Sequence, residues 1–261
     1  MNDEELVPFL NHLADRAAEE TLPRFRQLKH VDNKLEVGFD PVTQADREAE
    51  RVIRETITQK FPDHGLIGEE FGSYKLDAEH SWVIDPVDGT RAFISGIPVW
   101  GTLIALCRNM VPVAGIMSQP FTGERYIATG KHAKLFHQSE EKKLATSDTD
   151  SLESAILMAT TPEMFDPDET VAFEKIAGQC KLVRYGADCY AYCLLAAGHI
   201  DLVVESGLNF YDIAALIPIV EGSGGRVTDW SGNSHPRGGR ILASANPSIH
   251  AAALEVLQTA A

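Results

Sequence analysis

The sequence predicts an α/β fold, a layered sandwich in the α+β style, from three observations. Two amphipathic helical patterns open the chain, short runs with the punctuation of an antiparallel meander follow, and beyond about residue 150 strands alternate with helices. Leu6, Phe9, Leu10, Leu13, Ala14 and Ala17 recur at helical spacing, with Asp3 and Glu4 suited to the positive end of the dipole, so the first helix is expected to run to about residue 28. Residues 29–41 are polar and broken by Gly38 and Pro41, which reads as a loop. A second helix is expected over 43–60, with Ala45, Ala49, Val52, Ile53 and Ile57 on one face. Phe61-Pro62-Asp63-His64-Gly65 is a turn, and residues 66–68 form a short strand that presents Glu69 and Glu70. Two adjacent acids at a strand end cannot both face a core.

The stretch Trp82-Val83-Ile84-Asp85-Pro86-Val87-Asp88-Gly89-Thr90-Arg91-Ala92-Phe93 organises the rest. Trp82, Val83 and Ile84 read as a buried strand, which Pro86 is expected to end because it has no N–H for the ladder. Asp85 and Asp88 then stand at the strand's exit, where their carboxylates can converge on a hard cation such as Mg²⁺. Gly89 and Thr90 offer backbone N–H groups at the start of a short helix, a site for phosphate oxygens. A plain Asp/Pro/Gly turn is the simpler reading of these residues taken alone.

Turn signals next separate expected strands at 99–107, 113–117, 124–128 and 135–137. Residues 139–150 are polar and charged and mark the expected boundary between two halves. Residues 1–145 would form an α+β half with the antiparallel sheet and metal-binding motifs. Residues 146–261 would form an α/β half that contributes substrate specificity and one metal ligand. Strands are expected near 155–159, 181–184, 200–205, 226–228 and 240–244, and helices near 168–177, 189–197, 211–221 and 247–257.

A chain of 261 residues with 44% hydrophobic and 23% charged residues suits a globular protein with a sizeable core. Its net charge of −15 argues against a nucleic-acid or anionic-membrane partner, although bound cations would still admit a small phosphorylated substrate. No apolar leader or membrane-length apolar run is seen, and a cytoplasmic location is the expectation. Cys107, Cys180, Cys189 and Cys193 have neither a CxxC pair nor zinc spacing, and are expected as reduced thiols.

Five acids fall at element ends with specific flanks. They are Asp46 in Asp40-Pro41-Val42-Thr43-Gln44-Ala45-Asp46, Glu69 in Ile67-Gly68-Glu69-Glu70-Phe71, Asp85 and Asp88 in the central stretch, and Asp212 in Phe210-Tyr211-Asp212-Ile213-Ala214-Ala215. In this order the motifs resemble the inositol-monophosphatase family of Mg²⁺-dependent, lithium-sensitive phosphomonoesterases, over about residues 34–225. The resemblance implies an αβαβα five-layer fold, as in the fructose-bisphosphatase-like phosphatases, usually assembled as a homodimer, with two to three Mg²⁺ ions per site. It further implies that Glu69, Asp85 and the Val87 carbonyl hold a first metal, that Asp85, Asp88 and Asp212 hold a second, and that Glu69 also meets a third. Asp46 and Thr90 match the pair that activates the attacking water, and Gly89 and Thr90 match the phosphate-binding amides. Each acid also has a local reading, since Asp46 and Asp212 sit where a helix dipole favours a carboxylate. Glu70 fits better as a group behind the ligands than as a ligand itself.

After Thr90 the chain departs from the inositol-phosphatase pattern. Arg91-Ala92-Phe93-Ile94 and Arg184-Tyr185-Gly186-Ala187-Asp188-Cys189-Tyr190-Ala191 resemble the branch that hydrolyses L-histidinol phosphate in histidine biosynthesis. Such a substrate carries a cationic amine and an imidazole, so acids away from the metals are expected to bind it. Asp188 and Glu205 are the expected acids, with Arg184 and Asn209 as further substrate-binding residues and Lys34 behind the metals. Asp188 as a helix N-cap and Glu205 as a strand-end acid are the local alternatives. Inositol 1-phosphate, a sugar bisphosphate or a 3′-phosphonucleotide is the alternative substrate, and a non-catalytic binding module on this fold is the alternative of another class.

Overall fold

The apolar stripe from Leu6 to Ala17 forms α1 (Asp3–Thr21), with Leu6, Phe9, Leu10, Leu13, Ala14 and Ala17 all buried. The structure is a computed structural model, and it describes residues 3–27, 31–33 and 41–259. The helix ends at Thr21, well before residue 28, because Pro23 disfavours helical geometry in Leu22 before it. Within the expected loop, the short strands β1 (Asp32–Asn33) and β2 (Pro41–Val42) pair antiparallel, and Lys34 lies outside the described residues. Thr43 caps α2 (Gln44–Lys60), whose buried face carries Ala45, Asp46, Ala49, Glu50, Val52, Ile53 and Ile57.

The first large sheet contains β3 (Gly65–Gly68), β4 (Gly72–Tyr74), β5 (His80–Asp88), β6 (Gly101–Arg108), β7 (Val111–Gln119), β8 (Glu124–Thr129), β9 (His132–His137) and β10 (Glu140–Lys143). Its order is β10-β9-β8-β7-β6-β5-β3-β4, antiparallel throughout except for the β3–β5 pair. Pro86 does not end β5. The register moves from Asp85↔Leu103 to Asp88↔Gly101, a bulge of one extra residue that absorbs the proline, and the Thr102 hydroxyl donates to the Pro86 carbonyl at 2.8 Å. The short helix α3 (Thr90–Ile94) follows at once. β10 occupies the stretch expected as the boundary; its residues Glu140, Glu141, Lys142 and Lys143 are all exposed, so it has no apolar pattern and serves as a charged edge.

The second sheet holds β11 (Ile156–Ala159), β12 (Leu182–Tyr185), β13 (Leu202–Leu208), β14 (Arg226–Asp229) and β15 (Gly239–Ser244), in the order β12-β11-β13-β15-β14. β11 is parallel to β12 and β13, while β15 runs antiparallel to both of its neighbours. Its helices are α4 (Pro167–Ala177), α5 (Cys189–Ala196), α6 (Phe210–Ile213), α7 (Leu216–Gly222) and α8 (Pro247–Gln258). The single helix expected over 211–221 is two helices, because the Pro218 ring conflicts with the carbonyl four residues back, at Ala214.

Alternation along the strands sorts the core into layers. Trp82, Ile84, Ile104 and Ile116 pack against α1 and α2. Val83, Leu103, Ala105 and Met117 face the other way and meet Tyr192, Leu195, Ile217 and Val220 of α5 and α7, which in turn cover Val203, Val227 and Ala243 of the second sheet. Leu157, Leu202 and Leu242 form its far face with Phe173 and Ile176 of α4 and Ile249 and Leu257 of α8. The layers therefore run αβαβα, as expected. Close packing of the central layer demands glycine at 115, where a Cβ would lie 2.3 Å from the Ala215 carbonyl oxygen.

Candidate active site

The bulged end of β5, the turn after β3, the start of α2 and the start of α6 meet at one place. Carboxylate oxygens of Asp85, Asp88 and Asp212 lie within 4.8 Å of one another. Glu69 joins them through its backbone, since its amide donates to the Ile84 carbonyl at 3.2 Å and extends the β3–β5 ladder to the residue beside Asp85. The Val87 amide donates to Asp85 Oδ1 at 3.1 Å and turns that carboxylate back over its own strand.

The electrostatics match this crowding. Burial, then the charges of Glu69, Asp88 and Asp212, hold the Asp85 carboxyl well above its ordinary range. Burial, then Asp188 and Asp212, do the same to Asp88. Asp212 is pushed up to about 7 by burial, despite two opposing hydrogen bonds from Asn209. Carboxylates crowded at this spacing, with Asp85 buried and Asp88 and Asp212 half-buried, are unfavourable alone and favourable around a hard divalent cation, whose preferred ligands are such oxygens, so the donor set fits Mg²⁺.

Asp46 sits at the third position of α2, where a reciprocal cap holds it. The Thr43 amide and hydroxyl both donate to Asp46 Oδ2, at 2.9 and 2.6 Å, leaving Oδ1 for the Thr90 hydroxyl at 3.3 Å. Burial raises this carboxyl to about 6. The Thr90 hydroxyl also lies 3.0 Å from the Val87 carbonyl oxygen, so it is poised between two acceptors. In α3 the first ladder bond runs from the Phe93 amide to the Gly89 carbonyl at 2.9 Å, which leaves the Gly89 and Thr90 amides ahead of the helical ladder.

Gly89 has φ +81°, and a Cβ there would come within 3.2 Å of the Asp188 carboxyl. Asp188 is therefore packed on the Gly89–Thr90 turn. Its own backbone is left-handed at φ 46°, a conformation that is costly outside glycine, and burial pushes its carboxyl up to about 6 against the pull of Arg91.

The other expected substrate residues are placed differently. Glu205 is 2% exposed, and both of its oxygens hold donors: the Thr160 amide and hydroxyl at 2.8 and 2.6 Å, and the Tyr192 hydroxyl at 2.8 Å. Asn209 is exposed and caps α6, with its amide 2.6 Å from Asp212 Oδ2. Arg184 lies exposed on the edge strand β12. The Glu70 amide donates to Glu50 Oε2 at 2.7 Å. Sequence reasoning missed Glu50, Thr160 and Tyr192. Glu50 alone left a signal, as an acid one helical turn after Asp46 on the buried stripe.

The profile of the inositol monophosphatase family matches residues 2–261. A chloroplastic bifunctional phosphatase, IMPL2, of Arabidopsis thaliana is 38% identical over 99% of this chain and 77% of its own length. A histidinol-phosphatase of Chlorobaculum parvum is 36% identical over 90% of this chain and 89% of its own. Among solved structures, an inositol monophosphatase from Zymomonas mobilis superposes with a TM-score of 0.88 at 38% identity, covering 99% of each chain.

Proposed function

The chain belongs to the inositol monophosphatase family of phosphatases, and from that premise we propose that it is a Mg²⁺-dependent histidinol-phosphatase that converts L-histidinol phosphate and water to L-histidinol and phosphate. The observation that carries the hydrolytic part is the convergence of Asp85 and Asp88 from β5 and Asp212 from α6 on one point, beside Asp46 and Thr90.

In this reading Glu69, Asp85, the Val87 carbonyl, Asp88 and Asp212 would hold two to three Mg²⁺ ions, which would supply positive charge to the phosphate oxygens and lower the pKa of a neighbouring water. The Gly89 and Thr90 amides bind phosphate and fix its orientation. Thr90 and Asp46 would hold the attacking water, and Asp46 would take its proton. In this reading water rather than a side chain attacks in line, so no covalent phosphoenzyme forms, and the alkoxide leaving on the opposite side takes a proton from solvent water to give L-histidinol.

The substrate assignment rests on Asp188. A carboxylate packed on the Gly89–Thr90 turn would pair with the ammonium of histidinol phosphate, a group that inositol phosphates lack. Arg184, Asn209 and Glu205 complete the proposed leaving-group side, with Glu205 acting through Tyr192 and Thr160. The likeness to the Chlorobaculum parvum histidinol-phosphatase supports this choice. The likeness to the Zymomonas mobilis enzyme supports inositol 1-phosphate as the second reading. Phosphate release from histidinol phosphate, inositol 1-phosphate, a sugar bisphosphate and a 3′-phosphonucleotide, each with Mg²⁺ and with chelator, tests both. Histidinol phosphate is expected to lead by about tenfold or more in kcat/KM, as one well-placed charge pair allows. Indifference among the four overturns the substrate assignment.

A further inference from the structure

Glu50 is a carboxylate in the middle of α2 with no exposed surface, and it belongs to neither the metal cluster nor the water pair. Its Oε2 accepts the Glu70 amide at 2.7 Å, and its Oε1 accepts the Phe71 amide at 3.2 Å. Arg54, one helical turn further on, donates to the same Oε1 at 2.6 Å and uses its other arm to hold the Gly72 carbonyl oxygen. The turn from Glu69 to Gly72 is thus bound from beneath at three backbone groups by two side chains of one helix.

Gly68 shows how tightly this clamp is seated. A Cβ at that position would lie 1.9 Å from Glu50 Oε1 and 2.8 Å from Arg54 Nη2, so the carboxylate lies directly against the backbone that leads into Glu69. On its other side Glu69 is tied by its amide to Ile84, the residue before Asp85. Glu69 is therefore held between β5 and α2. Asp46 and Glu50 are four residues apart on the same face of α2, so one rigid element sets both the water-activating carboxylate and the turn that bears a metal ligand.

We propose that Glu50, braced by Arg54, is a positioning residue that holds Glu69 in metal-binding geometry and thereby sets the affinity of the site for divalent cations. The inference rests on the metal-dependent reading above and deepens it. Ligand-orienting partners of this kind typically contribute 10–100-fold to metal affinity. Replacing the carboxylate by an amide turns one acceptor into a donor aimed at a backbone N–H, which removes a turn contact at nearly constant volume.

The test is calorimetric titration of Mg²⁺, and of Ca²⁺ as a second hard cation, into wild-type protein, Glu50→Gln and Arg54→Gln. Both variants are expected to bind the cations about tenfold or more weakly. Their activity should recover with added Mg²⁺, with KM for the phosphomonoester unchanged. A purely structural role would lower Tm and the active fraction while leaving the cation Kd of the folded protein at the wild-type value, and that result overturns the inference. If Glu50→Gln does not fold, Arg54→Gln decides by the same criterion. Wild-type protein that takes up neither cation defeats the metal reading itself, a different outcome from wild-type binding that both variants share.

Discussion

The backbone N–H of Cys189 donates to Asp88 Oδ2 at 2.7 Å, so the first residue of α5 orients a carboxylate on the far sheet. Asp188, at φ 46°, is what aims that amide, and its side chain is at the same time packed over Gly89. Backbone geometry and carboxylate make separable contributions here. Asp188→Gly keeps the turn, relieves a strain of about 1–3 kcal/mol and deletes the charge. The variant is expected to melt no lower than wild type, to lose at least about tenfold in kcat/KM on histidinol phosphate, and to keep its rate on an aryl phosphate. Steady-state kinetics on the two substrates with a melting curve checks this, and an equal loss on both contradicts the substrate assignment.

Asp46 uses one oxygen for Thr43 and the other for Thr90. In Asp46→Asn the amide carbonyl still satisfies Thr43, while the Nδ2 group faces the Thr90 hydroxyl and forces it to accept. The proton acceptor is then gone and the water's anchor reversed. We expect kcat to fall by about 10²–10⁴, the range of a lost general base, with the Mg²⁺ Kd within a few-fold of wild type. Parallel kinetics and calorimetry separate this from damage to the metal cluster.

Much of the site was legible because its acids sit at element ends. Asp46 follows a Thr cap and Asp212 opens a helix, and Asp85 and Asp88 stand at the exit of an apolar strand, so local signals gave their positions, while only the family resemblance joined them into one candidate site. What stayed hidden depends on partners distant in sequence. Pro86 was expected to end β5, and only the neighbouring strand, with Thr102 beneath the Pro86 carbonyl, makes a bulge possible instead. Glu50 shows its place on the buried stripe of α2, but its partners appear only when the turn after β3 brings the Glu70 and Phe71 amides to it. Glu205 carries no sign in its own segment that Thr160 and Tyr192 will occupy its oxygens.

The raised carboxyls predict an inverted pH response in the metal-free protein. Asp46 and Asp212 hold their protons to about 6 and about 7 when folded, against an ordinary 3.8 when unfolded. The folded state is then the stronger proton binder between these values, so the associated stability is full below 3.8 and is lost as pH rises through 6 and 7. In chelator the melting temperature should therefore fall between pH 6 and pH 8, by roughly 2–4 °C per kcal/mol lost. Saturating Mg²⁺ binds the deprotonated acids and should abolish or reverse the fall. Melting curves at both pH values with and without Mg²⁺ check this, and identical slopes would mean that the acids do not share a cation.

His250 predicts the opposite sign from a site far from the chemistry. It is 1% exposed under β15, with Nε2 3.0 Å from the Thr228 hydroxyl and Nδ1 2.6 Å from the Ser244 hydroxyl. Because the Thr228 hydroxyl already donates to the Asp229 carbonyl, it accepts from Nε2–H, and the neutral ring is fully satisfied. Burial, helped by Arg226, holds its pKa down to about 4 from 6.5. The unfolded chain therefore binds this proton more tightly, and the contribution, complete above pH 6.5, is lost as pH falls toward 4. A shift of this size corresponds to about 3 kcal/mol. His250→Gln keeps a polar side chain without a titrating ring, so it should be the less stable protein at pH 7 and should close or reverse that gap by pH 4. Urea unfolding of the two proteins at each pH measures the difference, with the shared acids cancelling between them, and a gap that does not change with pH would show that folding leaves the pKa of the ring unshifted.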